Sequence, residues 1–289
     1  MTDAVLSGKN YVVTGANSGI GLFAARRFAG LGANVALVCR NEERGRAAVA
    51  EIVATTGNEN VSLYLADFSS LASVSEMADK LLLDFPKIDV LCNNAGGANG
   101  SRTVTDEGLE TTLVTNHLSG FLLTKKLLPV ILNAADEGLV RIVFTSSYGH
   151  FNSALDFEDL GLEQGYSTLK AYGRSKLMNL LTARELQNHL AEKNVVTSSF
   201  HPGAVRTPIW GKGGALARIL GLVIYPFMKS TEQGSDTFIW LASSQDKAST
   251  DAQGQYFYER KRAEIAKFAT DEDARRLWQA SEELVAAYC

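Results

Sequence analysis

Short apolar runs alternate with longer stretches of helical periodicity along most of this chain of 289 residues. Asn10-Tyr-Val-Val-Thr14, Asn34 to Cys39, Val61 to Leu65, Ile88 to Cys92, Val140 to Thr145 and Val195 to Phe200 have the length and β-branched content of buried strands. Between them, apolar residues recurring every three or four positions predict helices over about 20–31, 44–55, 70–84, 108–129 and 170–190. Such alternation predicts an α/β fold, a doubly wound parallel sheet of the Rossmann type with helices on both faces, because each crossover must be right-handed.

After Phe200 the rhythm loosens. Residues 201–208 are rich in turn formers, 209–229 are apolar and glycine-bearing, and a helix over 232–243 precedes a last edge strand at Gly254 to Tyr258. Thr270-x-x-Asp273 resembles a capping box opening a terminal helix. With no repeat and no low-complexity linker, residues 1–289 form one expected domain, carrying a small substrate lid at 204–230 after the sixth strand.

Composition narrows the function classes. A net charge of -4 leaves no basic footprint for nucleic acid. Cys39 and Cys92 sit inside apolar runs and only Cys289 remains, so no disulfide framework is expected and a reducing, cytoplasmic setting fits. His117, His150, His189 and His201 lack zinc-like spacing, so no metal is assigned. Met1 to Gly8 have neither a basic nor an apolar region of a signal peptide. The longest apolar run, Ala215 to Met228, is broken by Arg218 and Pro226, so no segment is expected to reach the roughly 20 residues a bilayer requires.

The candidate chemistry centres on Tyr172-Gly-Arg-Ser-Lys176. On a helix Tyr172 and Lys176 share a face, and an ammonium beside a phenol favours the phenolate and brings its pKa down toward neutrality. The strand end Thr145-Ser146-Ser147 supplies a hydroxyl to hold a carbonyl oxygen, with only one of the two serines facing that side. Such a site needs a hydride carrier. Thr14-Gly15-Ala-Asn-Ser-Gly19-Ile-Gly21, between the first strand and first helix, suits a dinucleotide pyrophosphate resting on the helix N-terminus.

Arg40, just past the second strand, suits a ribose 2′-phosphate and favours NADPH; in the opposing reading Arg40 is a solvated loop residue and Glu42 or Glu43 takes the ribose. Asp67 either accepts from the adenine amino group or caps the next helix. Asn93-Asn-Ala-Gly96 either packs closely against a cofactor ribose or is an ordinary turn. Asn116, a mediocre helix former inside the long helix, is either a surface residue or bonds a water that connects Lys176 to solvent. His201 reads as structural.

Taken together, these motifs resemble the short-chain dehydrogenase/reductase superfamily over almost the whole chain. The resemblance implies a catalytic tetrad on Asn116, Ser147, Tyr172 and Lys176. It implies a cofactor site on Gly15, Asn17, Ser18, Gly19, Ile20 and Gly21, and further along on Arg40, Asp67, Phe68, Asn94, Ala95 and Gly96. Tyr172, Lys176, Pro202, Gly203, Val205 and Thr207 complete that set. Cys39-Arg-Asn41, Ser69 to Val74, Asp156 to Leu160, Tyr172 to Leu177 and His201 to Thr207 resemble the retinol dehydrogenase-like branch, and are also similar to polyketide ketoreductases of the daunorubicin C-13 type. That branch carries an insertion before the tyrosine, here 148–171, and alignment on it selects Ser147 over Ser146.

The implied activity is NADPH-dependent reduction of an aldehyde or ketone on a bulky hydrophobic molecule, retinal-, steroid- or polyketide-like. Ile209, Trp210, Leu216, Ile219, Leu220, Val223, Ile224 and Phe227 offer a greasy wall to such a substrate, or else core, subunit or membrane-surface contacts. Superfamily relatives are commonly dimers or tetramers, and the insertion stands where it could obstruct such contacts. Two other classes remain: a catalytically silent NADPH sensor, which has no need of Tyr172 and Lys176 together, and a nucleotide-sugar dehydratase or epimerase, for which the chain is short.

Overall fold

The central strands of the sheet are buried on both faces, which is why they read as unbroken apolar runs rather than alternating ones. A computed structural model describes residues 5–205 and 228–289. Strands β1 (Asn10–Thr14), β2 (Asn34–Cys39), β3 (Val61–Leu65), β4 (Val90–Asn93), β5 (Val140–Thr145), β6 (Val195–Phe200) and β7 (Gln255–Tyr258) run parallel, and β8 (Lys261–Arg262) closes the sheet antiparallel. Their order is β3-β2-β1-β4-β5-β6-β7-β8. The order turns back between β1 and β4, and the crevice at their carboxyl ends is where a ligand sits in such a sheet.

Helices α1 (Gly19–Gly30), α2 (Glu42–Thr56) and α6 (Thr231–Ser243) cover one face, and α3 (Leu71–Asp84), α4 (Thr111–Ala135), α5 (Thr168–His189) and α8 (Asp271–Val285) the other. A short α7 (Lys247–Thr250) follows α6. Each face has its own core: Phe28, Phe200 and Phe238 anchor the first, Leu71, Phe121 and Ile131 the second. Clusters of this kind bury enough apolar surface to stabilise the layers against chain entropy.

Three elements differ from the sequence expectation. The edge strand is β8, not β7, because Glu259 and Arg260, with φ of 50° and 58°, form a tight two-residue turn that reverses the chain. Neither is a usual residue for that conformation; Lys229 holds Glu259 and Asp236 holds Arg260 by ion pairs.

The long helix does not stop at Pro129 but runs on to Ala135, because Val130, Ile131, Ala134 and Ala135 are buried beyond it and the Val130 carbonyl accepts from the Ile88 amide. Packing outweighs the lost helical hydrogen bond. This helix, 25 residues from Thr111 to Ala135, is also long and apolar enough by length and composition to cross a bilayer, contrary to the expectation that no segment is. Its most apolar stretch is 61% buried inside the fold, as in the core helix of a globular domain.

At the terminal helix the capping box is only half formed: Thr270 accepts from the Asp273 amide but its hydroxyl turns to the Asp273 carboxylate. The complete reciprocal box lies at Ser230 and Gln233, opening α6.

Candidate active site

The loop from β1 to α1 is bare because its residues are small. Gly15 and Gly19 have φ of 66° and 57°, open to glycine at no cost. A Cβ on Gly21 would stand 2.5 Å from the Gly15 carbonyl oxygen and 2.6 Å from Asn94 Nδ2, so the turn closes only around glycine. Ser18 occupies the N-cap of α1 in an extended conformation without bonding back to the helix, and is exposed; its neighbours Asn17 and Gly19 are half-buried. First-turn amides are therefore left without a side-chain cap, the arrangement a pyrophosphate needs. The side chain of Ile20 belongs to the core, which leaves its amide for a ligand.

Asn94 stitches this loop to the far side of the crevice. Its Nδ2 donates to the Thr14 carbonyl at 2.8 Å, and its Oδ1 accepts from Thr145 Oγ1 at 3.3 Å. The Thr14 hydroxyl accepts from the amides of Asn94 and Ala95, both at 2.9 Å. At the β2 end Arg40 is 72% exposed at its side chain, with Nη1 3.7 Å from Asp67 Oδ2. Asp67 Oδ1 accepts from the amide and hydroxyl of Ser69, so this carboxylate does form the turn before α3, while Oδ2 is the oxygen beside Arg40.

Asn116 is buried rather than on the surface. It sits in a π-helical turn, Val114–Leu118, within α4, where the Ser119 amide donates back to the Val114 carbonyl. The wider turn carries the Asn116 amide to Gly97: Oδ1 accepts from the Gly97 amide at 2.7 Å, and Nδ2 donates to the Gly97 carbonyl at 2.8 Å and to Ser175 Oγ at 2.9 Å. Both amide donors are thus taken by protein, so the expected water relay through this side chain finds at most the second lone pair of Oδ1. Asn116 holds Gly96 beside Lys176 instead. A Cβ on Gly96 would meet Asn116 Oδ1 at 3.0 Å and Lys176 Nζ at 3.2 Å.

Lys176 Nζ donates to the Thr145 carbonyl at 3.2 Å, and burial pushes its pKa down from 10.5 to about 8. Its ammonium lies 5.6 Å from the Tyr172 ring centre. Tyr172 responds in the opposite direction to the sequence expectation. Burial pushes its phenol up from the ordinary value and only the Ser147 hydroxyl pulls it down. Desolvation outweighs that hydrogen bond, so in the protein alone the phenol stays protonated.

The two serines point apart, as strand alternation requires. Ser146 donates to the Lys176 carbonyl at 2.7 Å, whereas Ser147 Oγ accepts from Gly149 N at 3.1 Å on the Tyr172 side. A Cβ on Gly149 would touch the Tyr172 ring at 3.4 Å and Ser147 Oγ at 3.5 Å, which fixes these two side chains as neighbours.

Behind Ser147 stands His150, a residue that sequence reasoning left without a role. Its Nε2 accepts from the Ala266 amide at 3.3 Å, so its proton is on Nδ1 and is donated to the Ser147 carbonyl at 2.7 Å. Burial lowers its pKa and keeps the ring neutral. Only its place three residues after the serine hinted at this, since the partner is more than a hundred residues away.

Other site residues are less directly placed. Phe68 and Val205 have core side chains: Phe68 joins the α3/α4 cluster, and a Cβ on Gly234 would stand 2.4 Å from Val205 Cγ2. The cofactor contacts expected of these two would fall to their backbones. Pro202 and Gly203 line the end of β6, where Gly203 has φ of 87° and the Lys229 stem packs over it. Thr207 and the apolar wall from Ile209 to Phe227 lie outside the described residues.

The insertion begins with a 3-10 turn, Tyr148–Asn152, and is tied down by Arg174, whose guanidinium donates to the carbonyls of Ala154 at 3.0 Å and Asp159 at 2.7 Å. Among the described residues no cluster of three His, Cys, Asp or Glu side chains could hold a metal ion.

A family model described as short chain dehydrogenase matches residues 9–215. The chain is 38% identical over 278 residues to DnrU of Streptomyces sp. (strain C5), which carries the name of a daunorubicin C-13 ketoreductase, covering 96% of this chain and 92% of that one. It is 37% identical over 285 residues to retinol dehydrogenase 12 of Mus musculus, covering 98% and 88%. Among solved structures, a Mycobacterium paratuberculosis protein superposes with a TM-score of 0.77 at 30% identity, covering 97% and 94%. L-sorbose reductase from Gluconobacter frateurii, solved with NADPH and L-sorbose, superposes at 0.71 with 21% identity, covering 93% and 99%, a likeness of fold. The chain belongs to the short-chain dehydrogenase family, an oxidoreductase acting on CH–OH or C=O groups.

Proposed function

We propose that this protein is an NADPH-dependent reductase of aldehydes or ketones carried on bulky apolar molecules. The observation that supports this reading best is the adjacency of Ser147 and Tyr172 at the mouth of the β1/β4 crevice. A nicotinamide cofactor, which the family uses, fits the residues present: Gly15, Gly19 and Gly21 make room for its pyrophosphate, and Gly96 leaves space beside Lys176 for a ribose. Bound there, it supplies the hydride. Arg40, largely exposed and only 3.7 Å from Asp67, is free to turn onto a 2′-phosphate, which favours NADPH.

Ser147 Oγ would donate to the carbonyl oxygen and polarise it. Tyr172 would deliver its proton to that oxygen as negative charge develops, and its raised pKa keeps the proton available at neutral pH. Lys176 would bind the ribose and stabilise the phenolate left behind. His150 holds the Ser147 backbone in place throughout. The names of the relatives, a polyketide ketoreductase and a retinol dehydrogenase, support a large apolar substrate here. Three unpaired thiols fit a reducing, cytoplasmic setting.

The test is consumption of NADPH with a panel of all-trans-retinal, steroid ketones, aromatic polyketide ketones and small aldehydes, with NADH in parallel. Turnover specific to NADPH and a bulky carbonyl compound is expected. Tight NADPH binding without turnover on any member would instead favour the silent sensor.

A further inference from the structure

Tyr148 follows Ser147 directly, yet its side chain is 65% exposed, while the turn it opens is packed tightly on α5. That packing depends on two glycines. A Cβ on Gly173 would stand 2.5 Å from the Gly149 carbonyl oxygen, and one on Gly149 would press on the Tyr172 ring at 3.4 Å. Tyr148 is therefore flanked in the chain by Ser147 and by Gly149, the residue against which the Tyr172 ring packs.

Its ring begins a continuous aromatic surface. Phe151 lies 4.9 Å away, centre to centre, and His201 6.3 Å away, both tilted to it. His201 in turn stacks on Tyr258 at 5.1 Å with the planes 25° apart. His201 is kept neutral, its pKa pushed down to about 4 by burial first and then by Lys229 and His150. The wall from Phe151 to Tyr258 thus presents uncharged π faces and edges, the Lys229 ammonium lying beyond them over Tyr258 at 4.5 Å. Aromatic faces prefer offset or edge-on partners at ring separations that a flat π system can reach and a puckered saturated ring cannot exploit.

We propose that Tyr148 is a specificity-determining residue that selects flat, conjugated carbonyl compounds, stacking on the ring or polyene attached to the carbonyl. This rests on the carbonyl-reductase reading above and narrows it: a planar polyene or fused aromatic ketone is favoured over a saturated steroid of similar size.

A matched pair isolates the effect: an aryl methyl ketone and its cyclohexyl counterpart, equal in carbon count and different in flatness. The ratio of their kcat/KM values is measured for wild type, Tyr148→Phe and Tyr148→Leu, so that differences in intrinsic reactivity cancel. Tyr148→Leu is expected to lower the aryl-to-cyclohexyl ratio about tenfold, and Tyr148→Phe to leave it within about twofold, since the ring and not the hydroxyl does the selecting. An unchanged ratio in Tyr148→Leu, or an equal fall in Tyr148→Phe, overturns the proposal. Calorimetric titration of 2-naphthamide into the NADP-loaded protein gives a second reading, with weaker binding expected to Tyr148→Leu and not to Tyr148→Phe. If wild type reduces neither ketone, the reductase reading fails and the titration alone decides whether Tyr148 grips flat ligands.

Discussion

The Ser146 hydroxyl donates to the backbone carbonyl of Lys176 at 2.7 Å. The serine that faces away from the crevice thus adds one tie between the end of β5 and α5. Neighbouring serines have separate tasks. Ser146→Ala is expected to cost about 1 kcal/mol of stability and to change turnover little. Ser147→Ala should leave stability nearly unchanged while lowering kcat on the order of 100-fold or more. Urea denaturation and steady-state kinetics on both variants check the division; equal effects on turnover would contradict it.

Lys176 gives the fold a pH signature. Its pKa is about 8 when buried and 10.5 when exposed in the unfolded chain, so the folded protein releases this proton first. At pH 7 both states hold the proton and the buried charge destabilises the fold, by on the order of 3 kcal/mol. As pH rises from about 8 to 10.5 the unfolded state binds more protons than the folded one, and that penalty is relieved. Lys176→Met is therefore expected to be inactive yet more stable than wild type at pH 7, with the gap closing by pH 10.5. Urea titrations of both proteins at the two pH values test this, and a variant less stable at pH 7 would refute it.

Arg40 separates the two nicotinamide cofactors. A charge-assisted bond to a 2′-phosphate is worth about 1.5–3 kcal/mol, so Arg40→Ala should raise the KM for NADPH about tenfold to a hundredfold and leave that for NADH nearly unchanged. A parallel rise for both cofactors would mean that Arg40 does not read the phosphate.

Strand and helix order was legible in the residues because both β-branched runs and helical periodicity are local signals. Ser70 and Asn41, each accepting from an amide three residues on, start α3 and α2 within two residues of the expected positions. What stayed hidden depends on distant partners. Nothing near Pro129 announces that Val130 and Ile131 will be buried, and nothing near Asn116 announces a π turn that aims its amide at Gly97. The same holds for His150, whose tautomer is set by Ala266. The glycine cradle and the Tyr172–Lys176 pair could be read because each is a short spacing with one chemical purpose. The direction of the Tyr172 shift could not, since burial is a property of the whole fold.

The central claim is that Tyr172 donates the proton in carbonyl reduction. The most direct measurement is single-turnover reduction of the best ketone of the panel by NADPH-loaded Tyr172→Phe, alongside NADPH binding by the same variant. Loss of the phenol should slow the reduction about 100- to 10,000-fold while the dissociation constant for NADPH stays within a few-fold of wild type. Near-normal reduction by Tyr172→Phe would contradict the account, because the proton would then have to come from another group.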